Sequence, residues 1–106
     1  MNSLTDEFIP VTLVDNIEEG EMKPFEVEEE EILICRVGNS FYAVSGICTH
    51  ECIGLDDGEL EDFHLTCPLH FAQFDIRSGA PLSPPATEPL QVFDVLVHEN
   101  QIYIKI

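Results

Sequence analysis

The chain of 106 residues reads as an all-β protein: an antiparallel β-sandwich or partly open barrel with a small lobe inserted between two of its strands. Three observations predict it. Short runs of β-branched and aromatic residues recur along the chain, tight-turn dipeptides separate several of them, and helix signals are poor throughout.

The first run spans Phe8 to Val14 and the second Phe25 to Val27. The third, Ile32 to Val37, opens on Ile32-Leu33-Ile34-Cys35, an unbroken apolar stretch in which Cys35 reads as a core thiol. Overlapping the end of the second run lies the acidic run Glu26 to Glu31, broken by Val27. It reads as a solvated strand end and turn, with a docking role as the second reading. Gly38-Asn39 is a tight-hairpin signal leading into the fourth run, Phe41 to Val44. The inserted lobe is expected over about residues 47–85, on short strands around Glu59-Leu60-Glu61, His64-Leu65-Thr66 and Gln73-Phe74-Asp75. Glu99-Asn100 closes a final hairpin in which Leu90, Val92, Val95 and Val97 face Ile102, Ile104 and Ile106. The switch from even to odd apolar positions predicts a bulge near Phe93-Asp94. No internal repeat or linker interrupts the pattern, so a single domain over 1–106 is expected.

Four Lys and Arg stand against twenty-one Asp and Glu, a formal net charge of −17. Such a surface cannot neutralise phosphates, which excludes nucleic acid as a partner, and anionic lipid headgroups repel it. A basic protein surface is its natural partner. No apolar stretch approaches a membrane span, and Met1 to Glu7 lack the basic and apolar regions of a signal peptide. A cytoplasmic protein with no membrane association is expected. In that reducing compartment its four cysteines read as ligands or thiols rather than disulfides.

The chemistry concentrates in Cys48-Thr49-His50 and, after sixteen intervening residues, Cys67-Pro68-Leu69-His70. Two segments each offering one thiolate and one imidazole mark a metal site with two sulfur and two nitrogen ligands. A Cys and a His one residue apart are awkward as joint ligands of one tetrahedral ion, and suit two neighbouring metals better. The competing readings are a structural Cys2His2 zinc site, whose short pairs are normally Cys with Cys and His with His, and four residues scattered by chance. After His70 come Phe71-Ala72-Gln73-Phe74-Asp75, Ser78-Gly79, Pro81 and Ser83-Pro84-Pro85.

The mixed pairs and this tail resemble the Rieske signature, and the resemblance extends over nearly the whole chain to the Rieske-type ferredoxins of bacterial aromatic-ring-hydroxylating dioxygenase systems. It implies one 2Fe-2S cluster, with Cys48 and Cys67 on one iron and His50 and His70 on the other, the imidazole edges forming the electron port. It further implies a soluble, monomeric, one-electron carrier between a ferredoxin reductase and a terminal oxygenase, met through basic patches. Gly46, Gly54, Gly79 and the proline loop Pro81 to Pro85 are expected to let backbone amides approach the cluster sulfurs. High-potential Rieske proteins resemble one another in an extra cysteine pair and in a Ser and a Tyr after the second His. Here Leu69, Ala72 and Phe74 occupy the second extra-Cys, Ser and Tyr positions, and Cys52 lies one position early, as a thiol near the cluster. Without those hydrogen-bond donors the potential is expected near the low end of the Rieske range, about −150 mV. Phe71 departs from the Gly common in these ferredoxins after the second His, and Glu51-Cys52 falls where the family varies. Catalysis is not expected, because a Rieske oxygenase also needs a mononuclear iron in a larger second domain, and only His64 and His98 remain. The alternatives are a small reductase subunit of the nitrite reductase type and a zinc-stabilised interaction module.

Overall fold

The computed structural model describes residues 7–46, 58–67, 72–83 and 88–106. Its strands are β1 (Ile9–Leu13), β2 (Met22–Val27), β3 (Glu30–Val37), β4 (Ser40–Ser45), β5 (Glu59–Glu61), β6 (His64–Thr66), β7 (Gln73–Asp75), β8 (Pro81–Ser83), β9 (Val92–His98) and β10 (Gln101–Lys105), with one 3-10 turn at Val14–Asn16. Six strands form an antiparallel sheet in the order β1-β10-β9-β4-β3-β2. Its edge strands β1 and β2 approach each other, which curls the sheet into a nearly closed barrel. The other four, β5-β6-β7-β8, make a small antiparallel sheet between β4 and β9 in sequence. This is the all-β, partly open barrel with an inserted lobe that the strand pattern predicts.

The apolar run of β3 explains how the two sheets meet. Side chains alternate across a strand, so Ile32 and Ile34 point one way and Leu33 and Cys35 the other. Ile32 and Ile34 pack inside the barrel with Ile17, Val27, Ala43, Phe93, Ile102 and Ile104. On the opposite face, Leu33, Cys35 and Val44 pack with Leu65, Cys67, Ala72, Phe74, Ile76 and Leu90 of the insertion. The middle of strand β3, Ile32 to Cys35, is therefore buried on both faces, which removes the polar half of the usual alternation there.

Turn chemistry sets the registers. Gly38 has φ 62 in the two-residue turn between Val37 and Ser40, and Glu99 and Asn100 have φ 50 and 70 between His98 and Gln101. A third turn of this kind joins β2 to β3 through Glu28 and Glu29, also at φ 50 and 70. Both central residues of such a turn favour Asn-Gly, so two glutamates there cost about 1 kcal/mol each. Glu26, Glu28, Glu29, Glu30 and Glu31 are all exposed, as expected of a solvated turn.

Other local expectations are revised. Strand β2 starts at Met22 rather than Phe25, running through Pro24, which an edge strand accommodates because one row of its amides pairs with nothing. The expected bulge near Phe93-Asp94 is not there: β9 and β10 pair without interruption from Asp94 to His98. Leu90 precedes β9 and belongs to the outer core, Val92 is 40% exposed, and Phe93 takes the inward position. Regular alternation then places Val95 and Val97 opposite Ile104 and Ile102. Register shifts fall instead between Pro10 and Thr12 and between Gln73 and Phe74. Pro81 to Ser83, read as loop, forms β8 against β7, and Pro84-Pro85 lie outside the described residues.

Gly79 packs against Leu90. It has φ +81, its carbonyl accepts a 2.8 Å hydrogen bond from the Leu90 amide, and a Cβ added to it would overlap the Leu90 carbonyl oxygen. Gly79→Ala should therefore destabilise the fold by about 2–4 kcal/mol, read as a lower urea midpoint with an unchanged slope.

Candidate metal centre

Cys67 directly follows β6, and its side chain is fully buried in the outer core. Its amide donates a 2.7 Å hydrogen bond to the Ala72 carbonyl, one step beyond the Thr66–Gln73 pair of the β6–β7 ladder. Cys67 and Ala72 thus close the base of a hairpin connection whose sequence contains His70. The other ligand-bearing stretch begins after Gly46, whose amide donates to the Glu31 carbonyl at 2.8 Å, while the Ser45 amide donates to Gln91 at 2.9 Å. It ends before Gly58, which leads into β5. Ser45 and Gly46 before one stretch expected to carry ligands, and Cys67 and Ala72 around the other, are therefore fixed by backbone pairing. Cys48, His50 and His70 lie outside the described residues, as do Glu51, Cys52, Gly54, Leu69 and Phe71.

The chemistry around Cys67 fits a metal ligand. A bare thiolate in an apolar core is costly, whereas one bound to a cation is compensated, and an apolar shell limits access of water to the bound group. The contrast is Cys35, in the same core, whose thiol is pushed up to about 12 by burial. It stays protonated at neutral pH, in agreement with its reading as a core residue. Ala72 and Phe74, at the positions where high-potential relatives have hydroxyls, are both fully buried beside Cys67 in this cluster. His64 is exposed on β6 opposite Asp75, and His98 is exposed at the end of β9.

A chain of contacts absent from the sequence reading braces the lobe against β4. The Arg77 guanidinium donates to both Asp75 carboxylate oxygens, at 3.1 and 2.8 Å, and lies 4.1 Å from the Phe63 ring centroid. Phe63 meets Tyr42 of β4 edge to face at 5.8 Å, and its carbonyl accepts from the Ile76 amide at 3.0 Å. Hydrogen bonding from Arg77 holds the Asp75 carboxyl down from an ordinary 3.8 to about 2. Asp-x-Arg spacing was the available signal, but nothing in the sequence places Phe63 under the guanidinium.

A barrel with an inserted four-stranded sheet, holding a buried cysteine at a hairpin base, is the architecture of a metal-cluster domain. A family model described as the Rieske [2Fe-2S] domain matches residues 7–94. The chain belongs to that family, and its cofactor is one Rieske-type 2Fe-2S cluster. It is 31% identical over 100 residues to the anthranilate 1,2-dioxygenase ferredoxin subunit of Burkholderia cepacia, covering 94% of this chain and 93% of the relative. The fold matches the ferredoxin of carbazole 1,9a-dioxygenase from Nocardioides aromaticivorans IC177 with a TM-score of 0.90 at 33% identity, over 92% of this chain and 96% of the other. It also matches a chain in a complex of reduced oxygenase and oxidized ferredoxin in carbazole 1,9a-dioxygenase, with a TM-score of 0.87 at 32% identity over 93% of each chain.

Two outcomes check this site. Because the Asp75 carboxyl is lowered on folding, its contribution is present above the ordinary carboxylate range and is lost as pH falls through about 2. Urea midpoints should show Asp75→Asn weaker than wild type at pH 7, with the gap closing between pH 4 and 2. Phe74→Tyr should raise the cluster potential in voltammetry if the new hydroxyl donates to a ligand sulfur. Burying that hydroxyl without a partner would instead cost about 1–3 kcal/mol with no change in potential.

Proposed function

We propose that this protein is a low-potential, one-electron carrier of a multicomponent dioxygenase system, passing electrons from a ferredoxin reductase to a terminal oxygenase. The single observation that carries the reading is Cys67, fully buried at the base of a hairpin connection that contains His70, in a chain that belongs to the Rieske family. Cys48 and Cys67 would hold one iron and His50 and His70 the other. When bound, the cluster supplies a one-electron couple whose potential lies within the Rieske range.

The chain's own residues do the rest. Strand pairing at Ser45, Gly46 and Cys67 fixes the flanks of both ligand stretches, so little reorganisation accompanies a change of charge at the site. The apolar neighbours Leu65, Phe74 and Leu90 exclude water from the Cys67 side. This is an electron-transfer component rather than a catalyst: like its ferredoxin relatives, it delivers electrons to the enzyme that performs the oxidation. The net charge of −17 favours encounter with basic patches on both partners. A monomer in the cytoplasm fits a carrier that must shuttle between two larger proteins. Among the described residues, no helix is long and apolar enough to cross a membrane.

Purified protein should contain two irons and two acid-labile sulfides, and on reduction give a rhombic electron paramagnetic resonance signal with average g below the free-electron value. His50→Ala and His70→Ala should each abolish that signal, while His64→Ala and His98→Ala should keep it. Stoichiometric zinc without the signal would contradict the assignment.

A further inference from the structure

The acidic β2–β3 hairpin is joined to the first ligand stretch through the hydrogen bond from the Gly46 amide to the Glu31 carbonyl. Where they meet is a cleft of about 410 Å³. Exposed Pro24 and half-buried Phe25 contribute apolar surface over the fully buried Leu33, Glu26, Glu29 and Glu31 contribute carboxylates, and Gly46 forms part of the wall. The register explains the mixture: Pro24 pairs with Leu33 and Glu26 with Glu31, and alternation puts these four on one face of the β2–β3 pair.

This juxtaposition is unfavourable for the isolated chain. Glu26 and Glu31 stand directly opposite each other, and like charges in that position repel. The fold spends its few cations elsewhere. Arg36 donates to the Ile17 and Gly38 carbonyls, Arg77 pairs with Asp75 and Lys105 with Glu7. Lys23 pairs with Ile34 in the ladder, on the other face of β2 from Pro24 and Glu26. Glu28 and Glu29 further occupy turn positions better suited to Asn-Gly.

We propose that this cleft is a docking anchor for one arginine- or lysine-bearing segment of a redox partner protein. The match is chemical. Such side chains have an apolar stem and a cationic head, and the cleft presents an apolar surface edged by carboxylates that no cation of the described residues pairs. Its wall at Gly46 immediately precedes the stretch whose sequence contains Cys48 and His50, so a segment held here engages where that stretch leaves the barrel. The proposal rests on the functional reading above and adds to it the place where the partner's charge is received.

The test compares two variants of the cluster-loaded protein with equal loss of charge. In one, Glu26, Glu29 and Glu31 are each changed to Gln. In the other, Glu18, Glu19 and Glu99, at the end of the barrel away from the lobe, are each changed to Gln. Both should retain the wild-type electron paramagnetic resonance spectrum and midpoint potential. Stopped-flow reduction of the system's terminal oxygenase, followed over a salt series, should slow on the order of tenfold at low salt in the first variant, with a flattened salt dependence. The second should slow about twofold or less. Glu29→Lys alone, at the exposed turn, should slow transfer in the same direction. Equal losses in the two triple variants, or none in either, would overturn the anchor while leaving the carrier function intact. A cluster-loaded wild type that passes no electrons to the oxygenase would overturn the functional reading, and the anchor with it.

Discussion

Everything at the site depends on one strand whose middle four residues, Ile32 to Cys35, have no solvent face. The outward residues of β3, Leu33 and Cys35, join Val44 of β4 to form the platform on which the inserted lobe condenses. A four-stranded sheet of three-residue strands has too little apolar surface to stand alone. It borrows its core from the barrel. Fully burying a leucine or isoleucine stabilises by about 1.5–3 kcal/mol, so Leu33, Leu65, Ile76 and Leu90 together outweigh any single surface contact. Cys67 sits within this shared core, and its position relative to the barrel is set by packing rather than by the flexibility of a loop.

Polar contacts refine what the core establishes. The Asp75–Arg77–Phe63–Tyr42 chain crosses from lobe to barrel at the periphery, and the Ser45–Gln91 and Gly46–Glu31 backbone bonds fix where the insertion leaves and rejoins the barrel. Three of the four cations are committed to contacts inside the chain, leaving a surface of nearly uniform negative charge. That self-repulsion opposes compactness, and a carrier gains from it in rapid encounter with oppositely charged partners.

Much of this was legible in the sequence, because strand pattern and turn chemistry are local. Gly38-Asn39 and Glu99-Asn100 marked their hairpins, three of the four short strands of the lobe were found, and the mixed Cys/His pairs with the tail after them pointed to the family whose model matches the chain. What escaped depends on packing across distant segments. Apolar Leu90 looked like part of a strand face and forced a spurious bulge, because a residue belonging to the outer core cannot be told by sequence from one facing the inner core. The packing role of Gly79 escaped because turn glycines share one signature, and only the structure reveals the Leu90 carbonyl against it. The turn within the acidic run was legible, but its two-residue form at Glu28-Glu29 was hidden because these residues contradict the dipeptides such turns favour.

The central claim is that the outer face of β3, and not the barrel interior, positions the metal centre. Leu33→Ala and Ile34→Ala remove comparable side chains from neighbouring positions, one from each core, and each should cost about 2–5 kcal/mol in stability. The decisive measurement is the electron paramagnetic resonance spectrum of the reduced cluster in the two variants. Shifted or broadened g values in Leu33→Ala, with a wild-type spectrum in Ile34→Ala, are the predicted result. An unchanged spectrum in Leu33→Ala, or an equal change in both, would contradict the account.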